Sequence, residues 1–172
     1  LTAIIVKSNL FRALLLVVIV YTMDYCSSDN SELQDAQASS PEVMDYTYIS
    51  SELETMALIN TYRVSIGLNA LERADYLSRK SEEHDNYMIA NNVVDHDGFE
   101  VRSQNIIKVL GATKVCENIA YNYNSPHGAF DAWMNSPRHK ENITGDYTHF
   151  GISIRENPVN ERKYYTTIFA KI

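Results

Sequence analysis

Cysteine, proline and glycine are all scarce, with two Cys, four Pro and six Gly among 172 residues. Two cysteines cannot build a disulfide-dense scaffold, and so little Gly and Pro excludes collagen-like repetition and a chain disordered throughout. A surplus of positive charge is missing as well. Acids outnumber bases 22 to 15, the formal net charge is −7 and the sequence pI is near 5.2. Affinity for a phosphate backbone needs Lys and Arg to release counterions, so nucleic acid is not an expected partner. What remains is 45% hydrophobic, enough for one ordinary globular domain.

Lys7 and Arg12 precede an apolar run from Ala13 to Tyr21. That run is too short for a spanning helix, which needs about 20 apolar residues, but has the length of the core of a secretory signal. Export is therefore expected. Cys26 follows the run and opens the polar stretch Cys26-Ser27-Ser28-Asp29. This resembles a bacterial lipoprotein signal, with Met23-Asp24-Tyr25 where a Leu and small residues usually precede the lipidated cysteine. The resemblance implies a relaxed lipobox, lipidation at Cys26 and a place on the bacterial cell surface or outer membrane. Cleavage after Ser28 is the alternative, and it releases a soluble protein.

Residues 27–52 carry Asp29, Glu32, Asp35, Glu42, Asp45 and Glu52 with no Lys or Arg, among Ser, Gln and Ala that bury little apolar surface. They read as an acidic flexible tether. It holds −6 of the total charge, against +1 for residues 1–26 and −2 for residues 53–172, so the acidity belongs to the tether and not to the domain. A self-repelling spacer would hold a domain off a membrane surface.

Ser51 with Glu54 three residues on is a capping box, and Gly67 supplies a left-handed stop, which predicts a helix over 52–66. A second helical period passes through Ala74, Leu77, Ser81, His84 and Met88 to Asn91-Asn92. A third runs from Arg102 to Leu110 and ends at Gly111. Ser125 and Pro126 are an N-cap and first helical residue for a fourth, which Pro137 terminates. Alternation at Phe150, Ile152 and Ile154, then through Tyr164 to Phe169, predicts two strands in a hairpin, with a third short strand near 115–121. The fold class is α+β, a three-layer α-β-α sandwich with a small antiparallel sheet between helices.

Five motifs then fall in order: Leu58-Ile59-Asn60-x-Tyr62-Arg63 with Gly67-Leu68; His96-Asp97-Gly98; Glu117-Asn118-Ile119-Ala120; Trp133-Met134-Asn135-Ser136-Pro137-x-His139-x-Glu141-Asn142-Ile143; and Thr148-His149-Phe150-Gly151-Ile152. Together, over 53–172, they resemble the bacterial branch of the CAP superfamily: cysteine-rich secretory proteins, antigen 5 and pathogenesis-related 1, or SCP-like domains. The resemblance implies the same sandwich. It also implies a central cleft with two His and two Glu, matched here by His96, Glu117 and His139. The second Glu is missing, and Ser136 stands closest to its place.

Two imidazoles, one carboxylate and a water make a tetrahedral Zn²⁺ set, so His96, Glu117 and His139 are the candidate metal ligands, although no cofactor is certain. The other reading is that Glu117 and His139 hydrogen-bond to fix the cleft loops. Ser136 and His149 are candidate cleft residues; His149 faces either the cleft or solvent. No catalytic residue is assigned, because a Ser136 nucleophile with His139 as base has Pro137 between them and no oxyanion-hole motif. Cys116 reads as a small buried apolar residue, its thiol pushed up by Glu117.

Three functions fit: an extracellular binding or interaction module, which the missing acid favours; a lipid or sterol carrier, implied by the resemblance; and a metal-dependent hydrolase. The expected partners are a membrane, through the N-terminal lipid, and an extracellular protein or lipid or sterol ligand.

Overall fold

The structure, a computed structural model, describes residues 45–172. The expected signal, Cys26 and residues 27–44 of the expected tether lie outside the described residues. Five helices and four strands follow in the order α1 (Ser50–Ser65), β1 (Glu72–Arg73), α2 (Asp75–Asn91), α3 (Phe99–Leu110), β2 (Lys114–Tyr121), α4 (Pro126–Asn135), α5 (Pro137–Thr144), β3 (His149–Glu156) and β4 (Lys163–Lys171). The sheet order is β1-β3-β4-β2. β3 and β4 form the expected hairpin, and β2 pairs antiparallel with β4. The two-residue β1, which the sequence did not predict, extends this antiparallel sheet by a short parallel pairing with β3.

Strand alternation sorts side chains into two layers. Phe150, Ile152, Ile154, Tyr165 and Phe169 share a core with Met56 and Ile59 of α1, Ala129 and Trp133 of α4 and Ile143 of α5. On the opposite face Ile168 and Ala170 pack against Leu77 of α2 and Ile106 of α3. The three-layer α-β-α sandwich is therefore present. Gly151 shows how close the layers come: a Cβ there would run into the backbone of Leu77 and Ser78.

The start of α1 differs from expectation. The helix begins at Ser50, and it is the Glu52 carboxylate that reaches back to the Ile49 N–H, at 3.0 Å. Glu52 is fully buried, and its Oε1 also accepts from the Tyr46 hydroxyl, the Ile154 N–H and Arg155 Nη1 at 2.8–2.9 Å. The last residues of the expected tether are thus part of the domain, because a buried carboxylate with four donors fixes them to β3. Pro137 also does more than end a helix. A bend at Ser136 lets it occupy the first turn of α5, where its missing N–H has no partner to lose.

Arg63, also fully buried, has no carboxylate ion-pair partner among the described residues. Its guanidinium donates to the carbonyls of Asn69, Ile143 and Gly145 at 2.7–2.9 Å, closing the end of α1 onto the end of α5.

Candidate functional site

β2 is an edge strand, so residues from both helical layers meet around it. Glu117 projects toward α2 and α3. Its side chain is 1% exposed, and Arg102 of α3, itself 10% exposed, grips both oxygens: Nε to Oε2 at 3.0 Å, and Nη2 to Oε1 and Oε2 at 3.0 and 2.8 Å. Such a fork is the strongest form of side-chain hydrogen bonding to a carboxylate.

His96, in the loop after α2, lies with Nδ1 2.9 Å from Glu117 Oε1. A carboxylate oxygen is an acceptor, so this contact is a hydrogen bond in the tautomer that carries its proton on Nδ1. His84 of α2 lies behind, with Nε2 3.8 Å from the same oxygen and 2.8 Å from the Asp95 carbonyl. Burial lowers its pKa and favours neutral imidazole; Glu117 opposes that shift and Arg102 adds to it. The other face of β2 is fixed to α5. Asn118 donates to the His139 carbonyl at 2.9 Å, and Asn142 donates to Asn118 Oδ1 and the Glu117 carbonyl at 2.8 and 3.2 Å.

Two chambers open on this arrangement and share His96 and His139 as a common wall. One, about 210 Å³, is lined by Phe99, Cys116, Glu117, Arg138 and Asn142 besides the two imidazoles. The other, about 490 Å³, includes Ile119, Tyr121, Tyr123, Trp133 and Ser136. His139 has its pKa lowered first by burial and then by His96 and Arg138, which places those groups close to it. The Cys116 thiol is pushed up to about 12, mainly by burial, with the neighbouring Glu117 a lesser cause than the sequence suggested.

The structure therefore brings His96, Glu117, Ser136 and His139 to one cleft. It does not bring His149 there. That residue lies at the far side of the sheet, opposite Ala170 of β4 and next to Glu72 of β1, because β4 separates β3 from β2.

The donor set does not fit the expected Zn²⁺ either. Among the described residues no three His, Cys, Asp or Glu side chains are grouped to hold a metal ion. Arg102 argues in the same direction. A guanidinium already occupies the lone pairs of Glu117 that a metal would need, and a cation brought to that carboxylate would sit against it. Arg102 and His84 had no sequence signal as site residues, because their link to Glu117 is made only by packing α2 and α3 on one face of β2.

With this geometry in place, the comparisons with known proteins define the class. The family model for the cysteine-rich secretory protein family, CAP, matches residues 56–169, and the chain belongs to that family. Among curated proteins it is 32% identical over 144 residues to the uncharacterized membrane protein YlbC of Bacillus subtilis, covering 81% of this chain and 40% of that protein. It is 27% identical to the uncharacterized protein YkwD of the same organism, covering 79% and 56%. The chain thus spans about half the length of the curated relatives it matches.

Solved structures of similar fold include an outer surface protein from Borrelia burgdorferi, with TM-score 0.64, 20% identity and coverage of 73% of this chain and 96% of that one. Another is an extracellular SCP-domain protein from Bacillus anthracis, with TM-score 0.62, 22% identity and coverage of 71% and 40%. These two proteins are outer surface or extracellular by name. Among the described residues no helix is long and apolar enough to cross a membrane.

Proposed function

We propose that this is an exported, surface-displayed CAP domain, attached by lipid at Cys26 and spaced by the acidic stretch after it, that works as a binding module. The observation carrying the binding role is the Arg102–Glu117 fork, which supplies the cleft carboxylate with an internal cation. A hydrolase built on this cleft would need that carboxylate free for a metal, or a nucleophile with its base in contact. Ser136 holds the N-cap position of α5 without a side-chain capping bond, and no hydrogen bond joins its hydroxyl to His139 among the described residues. The names of the structural relatives support display outside the cell.

Thermal unfolding of the chain with and without Zn²⁺, Mg²⁺ and Ca²⁺, alongside hydrolysis assays on peptide and ester substrates, tests the binding role. Unchanged melting and no turnover are expected. Metal-dependent turnover lost in Glu117→Gln would overturn the reading in favour of the hydrolase. For display, protease added to intact cells should release the domain, and protection until lysis would refute it.

A further inference from the structure

The smaller chamber has an unusual balance of charge. Its one carboxylate, Glu117, is neutralised by Arg102 behind it. In front stands Arg138, an exposed residue that has no ion-pair partner among the described residues. Asp95 is the acid bordering the larger chamber, and its Oδ1 accepts from the Asp97 N–H at 3.0 Å, within its own loop. Among the residues lining the smaller chamber Arg138 is therefore the one guanidinium without a paired carboxylate, with Glu141 three residues further along α5 and outside that lining.

Local structure agrees with that balance. Arg138 and Lys140 stand in the first turn of α5, where the helix dipole disfavours cations, and that turn contains no acid. An anion at Arg138 would relieve that unfavourable placement, with the His139 imidazole beside it as a hydrogen-bonding group. Beyond the shared imidazole wall, the larger chamber offers Ile119, Tyr121, Tyr123 and Trp133. Trp133 is oriented by its Nε1–H donating to the Ile119 carbonyl at 2.9 Å. Apolar and aromatic surface therefore adjoins a single cationic group within a few residues, a combination that selects ligands carrying both kinds of group.

We propose that the cleft binds an organic monoanion, its carboxylate held by Arg138 and His139 in the smaller chamber and its apolar or aromatic body lying along Trp133 and Tyr123 in the larger one. This deepens the binding-module reading and rests on it. The single charge of Arg138 matches one carboxylate, and the guanidinium fork matches its geometry.

Isothermal titration of the full chain at neutral pH with benzoate, acetate, benzyl alcohol and benzyltrimethylammonium tests it. Benzoate binds most tightly, acetate and benzyl alcohol are each weaker by about tenfold or more, and the cation does not bind. Arg138→Gln, at an exposed position, lowers benzoate affinity by about tenfold. Lys140→Gln, the same change of charge on the same helix but outside both chambers, leaves it within about twofold. Benzyl alcohol binding as tightly as benzoate, equal losses in the two variants, or no benzoate binding would each overturn the proposal. The metal and turnover assays judge the binding-module reading separately, so failure here with unchanged melting and no turnover sinks the ligand class alone.

Discussion

Removing Arg102 is the most direct probe of the cleft. In the native chain three contacts of 2.8–3.0 Å join its guanidinium to Glu117, and both side chains are nearly excluded from water. Arg102→Ala leaves that carboxylate with His96 Nδ1 at 2.9 Å as its nearest side-chain donor. Breaking a buried ion pair from one side costs about 3–5 kcal/mol, a large part of the roughly 5–15 kcal/mol that stabilises a domain. Trp133, the only Trp in the chain and 1% exposed, reports unfolding through its fluorescence in urea. The double variant Arg102→Ala with Glu117→Gln should recover more than half of the loss, because the uncompensated charge has gone. An Arg102→Ala variant within about 1 kcal/mol of the parent would refute the reasoning, as would a double variant no better than the single.

Arg102→Ala should also gain a response to Zn²⁺ that the parent lacks, seen as a raised melting temperature, because both Glu117 oxygens become free beside His96; equal responses would count against this. Asp85 is fully buried, accepts from the Thr166 hydroxyl at 2.6 Å, and has its carboxyl pushed well up by burial. Its neutral form stabilises the fold below the ordinary carboxylate pKa, and that contribution is lost as pH rises toward the folded value. Asp85→Asn should therefore gain on the parent as pH rises above the ordinary carboxylate range of about 4, at about 1.4 kcal/mol for each tenfold difference in proton affinity; urea midpoints that stay parallel from that range upward would argue otherwise. Gly151→Ala should cost about 2–3 kcal/mol, because its Cβ meets the backbone of α2 at Leu77 and Ser78. An unchanged midpoint would mean that the two layers can part without loss.

Local signals are legible in the sequence wherever the cause is local. Ser125 and Pro126 announce α4, and Ser125 Oγ indeed accepts from the Gly128 N–H at 3.1 Å. Gly67, at φ +82°, stops the chain after α1 as expected. The start of α1 is not legible, because Ser51-x-x-Glu54 and the true contact, Glu52 to the Ile49 N–H, differ by a shift in register that only the burial of Glu52 against Arg155 decides. α5 escapes a sequence reading because Pro137 is compatible with ending one helix and beginning another, and β1 is too short to carry a period.

The same division holds for the cleft. His96, Glu117 and His139 are legible through the family motifs and not through spacing, since they converge only when β2 is clasped from both sides. Nothing around Arg102 distinguishes it from any exposed helical arginine until α3 is placed beside Glu117. That one contact turns an expected metal ligand into a satisfied structural acid.

The anchoring of Tyr46 ties the start of the described chain to both helical layers at once. Its N–H donates to Asp75 Oδ2 at 3.1 Å, at the start of α2. Its hydroxyl donates to the buried Glu52 of α1 at 2.8 Å and accepts from Arg155 of β3 at 2.8 Å. The segment before α1 is therefore a rivet through three plates, and shearing it would expose the carboxylate that holds the first turn of that helix.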